Sequence, residues 1–156
     1  MTRLTSRRPL RMRRKGNILV LSALLMVLMM AMTAFAVDIG YLCVARNELQ
    51  RSADASADAA CWDLINTSGP SGYNNYTALT ASAKSTAAQY ANLNQVMLQG
   101  MTLGSSDVEV GYIANPQDPN SPFLTNSAAP PNAVHVRVLK STQQNGELPL
   151  FFGKVL

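Results

Sequence analysis

Few side chains in this sequence could do chemistry. There is one histidine, His135, and there are two cysteines, Cys43 and Cys61, among 156 residues. His135 stands between Val134 and Val136. Strand alternation would put it on the face opposite those valines, and no base, nucleophile or ligand set adjoins it. It therefore reads as a solvent-facing strand residue. The cysteines are eighteen positions apart. On a helix that is about 27 Å, too far for a bridge within it. Eighteen residues make five whole turns, so both thiols face one way, as small packing groups or as partners for a second chain. Asp54, Asp58 and Asp63 follow roughly helical spacing, without the glycine turn of a calcium loop. No glycine-rich phosphate cradle and no paired-cysteine metal motif occurs. The expectation is a protein with no catalytic, cofactor-binding or metal site, and not an enzyme.

The elements that carry these residues are unlike one another. Residues 1–16 hold Arg3, Arg7, Arg8, Arg11, Arg13, Arg14 and Lys15 and no acid. From Asp38 onward six basic residues face nine acidic ones, a balance of −3. The net +4 is thus a basic arm on a mildly acidic remainder. Residues 18–37, ILVLSALLMVLMMAMTAFAV, carry no charge. A helix of that length spans about 30 Å, the thickness of a hydrocarbon core. Ten of the twenty are Leu, Ile, Val or Phe, and together they favour insertion by roughly 3–6 kcal/mol. We read a transmembrane helix. Cations on its N-terminal side alone put the N-terminus in the cytoplasm. The arm is then a topology signal, not a nucleic-acid site.

Ala34-Phe35-Ala36 fits a small-x-small cleavage pattern. However, the apolar run exceeds the roughly 7–15 residues of a signal core, and an uncleaved anchor is the leading reading. After Asp38 and Gly40 no glycine or proline occurs through Ile65. Leu42, Leu49, Ala53, Ala60 and Leu64 form a rough stripe, filled by Ala45, Ser56 and Ala57. One helix from about residue 16 to 65 follows, roughly 75 Å if straight. It would begin in the bilayer and emerge as a stalk whose small residues allow close helix approach.

Residues 66–77 are a loop by composition. They carry two glycosylation-type sequons, at Asn66 and Asn75, read as chance. A second helix is expected over 78–99. Val108, Val110 and Tyr112 alternate with polar or small residues, as do Val134, Val136 and Val138. Two strands are expected, paired antiparallel across 114–132, which holds five of the eight prolines and reads as a loop. A two-stranded ribbon alone is marginal, so it needs the second helix, a partner chain, or both.

The first 65 residues resemble the N-terminal segment of the TadE/TadG-like proteins of the bacterial tight-adherence (Flp) pilus system, with TadG the nearer pattern. The matching residues are Gly16, Val37, Asp38, Gly40, Arg46, Leu49, Gln50, Ala53, Asp54 and Ala55. The segment NGELPLFFGKVL near the end resembles a second, weaker element of that group. Family pilins and pseudopilins carry Glu at the fifth position counted from the glycine, for the prepilin peptidase. Here it is Leu21, which favours the TadG pattern. Longer TadG-like members carry a D-x-S-x-S metal motif. The nearest string, Asp54-Ala55-Ser56-Ala57-Asp58, lacks the final Ser and lies within the expected helix. Family members usually continue beyond LPLFFGKVL, so the resemblance implies a truncated member.

The resulting expectation is an α+β, membrane-anchored protein. It has one long N-terminal transmembrane and stalk helix, a second helix and a small antiparallel β ribbon. Its parts are a cytoplasmic arm (1–16), a transmembrane helix (17–38), an extracytoplasmic stalk (39–65) and a small α+β domain (66–156). The resemblance implies a single-pass protein of the bacterial inner membrane that serves pilus assembly by protein–protein contact. Its partners would be membrane lipid, other assembly proteins and a second copy through the stalk. Gly40, Arg46, Leu49, Gln50, Ala53 and Asp54 would be packing and docking groups. The alternatives are a soluble binding protein released after Ala36, or a pseudopilin cut after Gly16. Mass spectrometry of the mature N-terminus separates them. The anchor predicts an N-terminus upstream of the apolar run, and a mature chain beginning at Val37 overturns it.

Overall fold

A computed structural model describes residues 17–65 and 76–153. The basic arm and the loop with both sequons lie outside the described residues, apart from the last two loop positions. In chain order the elements are α1 (Asn17–Ile65), α2 (Tyr76–Leu93), β1 (Val108–Ile113), β2 (Phe123–Leu124) and β3 (Ala133–Val136). The chain divides into two compact units, one running to Asp38 and including the segment from Phe151, the other Ile39–Leu150.

In the first unit, residues 18–37 are exposed except for half-buried Ala34. Their two hydroxyls bond within the helix, Ser22 Oγ to the Leu19 carbonyl (2.9 Å) and Thr33 Oγ1 to that of Met29 (2.8 Å). By length and composition this is one helix apolar enough to cross a membrane.

In the second unit, small residues bring α1 and α2 together as an antiparallel pair. Ala45, Ser52, Ser56 and Ala60 on α1, and Ala83, Ala87 and Ala91 on α2, are all fully buried. Ser52 Oγ points at the Ala91 carbonyl (3.5 Å), and Asp63 accepts Ser82 Oγ (3.0 Å) and Thr86 Oγ1 (2.5 Å). The small-residue stripe expected on this helix is thus largely used within the chain.

The sheet has the order β2-β1-β3, antiparallel throughout. Val108 opposes Val136, Glu109 opposes His135 and Val110 opposes Val134. The valines turn inward onto Ala60, Ala83 and Ala87, with Leu64 and Leu103 beside them. A second cluster of Ala91, Val96 and Met101 continues the core, flanked by Leu49, Met97 and Val138.

Three details depart from the sequence reading. Helix α2 starts at Tyr76 and stops at Leu93, not near 99. Asn94 bonds back to the Tyr90 carbonyl with both its N–H and its Nδ2 (2.9 Å each), and Val96 and Gln99 then close a tight turn. The expected two-stranded ribbon gains a third strand, β2, from within the proline-rich segment. The strand expected to run through Val134, Val136 and Val138 ends at Val136.

Gly111 permits β2 to pair. A Cβ there would lie 2.7 Å from both the Leu124 carbonyl oxygen and Phe123 Cζ. Backbone cannot retreat cheaply from such a contact. Gly111→Ala is expected to cost about 1–3 kcal/mol by overpacking, read as a lowered thermal midpoint of the detergent-solubilised chain.

Candidate interaction surface

A groove of about 520 Å³ runs between one flank of α1 and strand β3. Arg46, Leu49, Gln50, Ala53, Asp54 and Ala57 form one wall, and residues 134–138 form the other. Five of the six positions singled out in the sequence therefore share one concavity. The sixth, Gly40, is exposed, and a Cβ added there would meet nothing within 4 Å. Among the described residues no contact requires glycine at that position.

The α1 wall follows from helical geometry. Positions 46, 49, 50, 53, 54 and 57 lie within one broad face at 100° per residue. That face flanks the buried stripe of Ala45, Ser52, Ser56 and Ala60. Ala53 and Ala57 are half-buried and give the groove its floor space. Gln50 Nε2 donates to Asp54 Oδ1 (2.8 Å), so the polar rim is partly ordered. Asp54, Ser56 and Asp58 are held in α1, where Ser56 Oγ donates to the Ser52 carbonyl (2.6 Å). The string thus serves as helix surface and helix packing.

The other wall is the outer edge of the sheet. Arg137 N–H donates to the Asp107 carbonyl (2.8 Å). In an antiparallel ladder this parity turns the backbone groups of alternate residues, Val134 and Val136, away from β1 and towards the edge. Cys61, half-buried on α1, receives a hydrogen bond from the Val134 backbone. Burial pushes the Cys61 thiol up, and the nearby Asp58 adds to this, with the Val134 bond opposing. Cys43 is exposed, and both thiols are free.

The His135 side chain is exposed, on the face of β3 opposite Val134 and Val136. Its Nδ1 lies 3.5 Å from Glu109 Oε2, and Phe123 meets its ring edge-on at 6.2 Å. Among the described residues no group of three or more His, Cys, Asp or Glu side chains could hold a metal ion. A smaller cleft, about 80 Å³, between Tyr76, Thr80 and Gly111 is lined by no acid, lysine, arginine or cysteine.

Arg137 is positioned by an acid that sequence reading missed. Asp107 has only 3% of its side chain exposed. It accepts from Arg137 (3.3 Å), Gln144 Nε2 (2.6 Å) and the Gly104 N–H (2.7 Å). Burial alone would raise its carboxyl pKa. The bonds from Gln144, Gly104 and Arg137, with the guanidinium charge, outweigh burial and hold it below the usual range. Gln144 also donates to the Thr102 carbonyl (2.9 Å). Asn145, at φ +60°, accepts from the Thr102 N–H (2.8 Å) and donates to the Leu139 carbonyl (2.7 Å). The Asn145-Gly146 pair was the one sequence signal of this turn.

A second acid serves the first unit. Asp38 is 6% exposed. Its Oδ1 accepts the Phe151 N–H (3.0 Å), and its Oδ2 accepts those of Phe152 (3.1 Å) and Gly153 (2.7 Å). The two elements that carry the sequence resemblance, VD-G and PLFF, thus meet at this carboxylate.

Comparison with protein families gives two overlapping matches. The TadE/G-like Flp pilus-assembly family matches residues 16–63, and the Tad-like Flp pilus-assembly family, Tad_C, matches residues 59–156. The chain belongs to the Tad-like Flp pilus-assembly family, and its role lies in assembly of the Flp pilus. No curated protein and no solved structure matches it.

The Asp107 knot makes a pH prediction. Its folded pKa is depressed, so its contribution is fully present above the ordinary value of about 3.9 and is lost as pH falls through the lower folded value. Asp107→Asn should cost about 2 kcal/mol at neutral pH and should flatten this acid limb. Thermal midpoints of both proteins across the acid range check it.

Proposed function

We propose that this protein is a single-pass component of the bacterial inner membrane that supports Flp pilus assembly by holding other assembly proteins in its α1–β3 groove. Residues 17–38 lie in the bilayer, with the arm of residues 1–16 in the cytoplasm. Residues 39–65 and 66–156 stand outside, as helix and α+β domain. The anchoring rests on an exposed, uncharged apolar run whose hydroxyls are satisfied internally, as a hydrocarbon medium requires.

The observation that carries the contact role is the convergence of Arg46, Leu49, Gln50, Ala53 and Asp54 on one groove wall opposite a sheet edge. Val134 on this edge is already bonded to Cys61, while Val136 keeps its backbone groups outward, and such an edge can pair with an extended segment. The groove offers apolar floor from Leu49, Ala53 and Ala57, with Arg46 and Asp54 as charged stops. An extended segment of a neighbouring assembly protein fits that chemistry, and Gly40 lies free for a second helix to approach.

Replacing Ala53 and Ala57 with Leu fills the groove without touching the fully buried Ser52, Ser56 and Ala60. The double variant is expected to abolish pilus assembly in a strain whose own copy it replaces, while its amount in the membrane fraction stays unchanged. Normal piliation with a stably inserted double variant counts against the groove.

A further inference from the structure

The Asp38 carboxylate is an unusual group to bury at the end of twenty uncharged residues. An unpaired buried charge costs several kcal/mol. Here three successive backbone N–H groups converge on it, at 2.7–3.1 Å for the shortest bond from each. Such a run of amides forms an anion-binding concavity. The satisfaction is mutual. Asp38 gains donors for both oxygens, and Phe151, Phe152 and Gly153 spend theirs.

The side chains of that segment stay outside. Phe151 is 65% exposed and Phe152 47%, and Phe35 and Val37 on the helix are exposed too. All belong to the same compact unit as the apolar run. A segment whose amides are satisfied and whose large apolar side chains face outward suits the boundary between headgroups and acyl chains, where Phe and Leu side chains bury about 5–10 Å deep. In water the same arrangement would leave two phenylalanines exposed with nothing gained.

We propose that Asp38 clasps the Phe151-Phe152-Gly153 segment to the end of the apolar helix so that both phenylalanines enter the outer lipid interface, a second membrane contact made by the far end of the chain. The occupant of this apolar patch is a lipid surface, because the patch continues the run that the anchoring reading places in lipid, and the proposal rests on that reading. The clasp fixes the depth of the helix. Asp38 cannot be drawn into the hydrocarbon without dragging the segment, and the phenylalanines oppose its withdrawal into water.

The test uses the full chain in vesicles of phosphatidylcholine and phosphatidylglycerol. Trp62, the only tryptophan, is changed to Phe, and Phe152→Trp supplies the probe. Emission should be blue-shifted and quenched more strongly by lipids brominated near the headgroup than by lipids brominated near the chain ends. Adding Asp38→Asn should shift emission to the red and remove the quenching while the chain still floats with vesicles. A chain that floats but whose introduced indole no bromolipid quenches overturns the proposal. Blue-shifted, unquenched emission overturns it as well, since a protein surface, a second copy included, then covers the patch. Failure of the chain to float strikes the anchoring reading itself. Amide exchange in the unsubstituted chain guards against a misfolded variant. The amides of Phe151, Phe152 and Gly153 should exchange slowly in vesicles, and rapid exchange overturns the clasp.

Discussion

The second unit depends on how closely α1 and α2 approach. Ser52 reaches a backbone carbonyl of α2 with a side chain only two atoms long. The two helix backbones are therefore close enough for one hydroxyl to span the gap. Only Ala and Ser allow that, and buried Ala83, Ala87 and Ala91 supply the facing surface. Everything else is laid on this pair. Val108 and Val110 of β1 rest on Ala83 and Ala87, and β3 rests on β1. A Leu at Ser56 or Ala87 would force the helices apart and take the sheet with them. Because Val134 and Val136 of β3 also pack on the cluster that holds Ala60, the gap between β3 and the flank of α1 is tied to the same spacing, and that gap is the groove.

A small-residue core contributes little by area. An alanine methyl removes far less apolar surface from water than a leucine side chain, at about 25 cal/mol per Å². The largest fully buried side chains here are Met101 and Val96. Polar knots make up part of the difference. Asp63 ties α1 to two hydroxyls of α2. Asp107 and Asn145 tie the approach to β1 to the exit from β3. Glu48 accepts the Met97 N–H at 2.6 Å, in a turn where Met97 and Leu98 both adopt positive φ without being glycine. Such residues cost about 1–2 kcal/mol each and persist only where neighbours over-determine them. Burial of Val96 and the Glu48 bond do so here, although Leu98 is left 93% exposed.

The elements that could be read from sequence are those whose signal is periodic. The α1 helix had twenty uncharged residues followed by a breaker-free alanine-rich run, and β1 and β3 had alternating valines. The end of α2 had one local signal, Asn94 just past Leu93, while the turn at 96–99 contains neither Gly nor Asn and its strain is supported from α1. Strand β2 is two residues long between prolines, and it exists only because Gly111 leaves room for it. One wall of the groove was legible from the resemblance at Arg46, Leu49, Gln50, Ala53 and Asp54. The facing wall was not, since a strand's hydrophobic pattern does not say which of its edges remains open.

Asp38 and Asp107 show one physical device used twice. Each is a short acid, nearly buried, that gathers donors from a segment distant in sequence, Asp107 adding the nearby Gly104 N–H. An amide could not replace either. A carboxylate accepts on both oxygens, whereas an asparagine offers one acceptor and turns an N–H₂ towards the remaining donors. The charge also strengthens each bond beyond a neutral one. At Asp107 the gathered donors include Arg137, so the acid that closes the β1–β3 end also sets the charge at one rim of the groove. At Asp38 all three donors are backbone amides, so the contact reads the path of the chain and does not depend on the side chains. Two exposed phenylalanines then lie on a segment whose N–H groups are already spent, a surface suited to lipid and poorly suited to water.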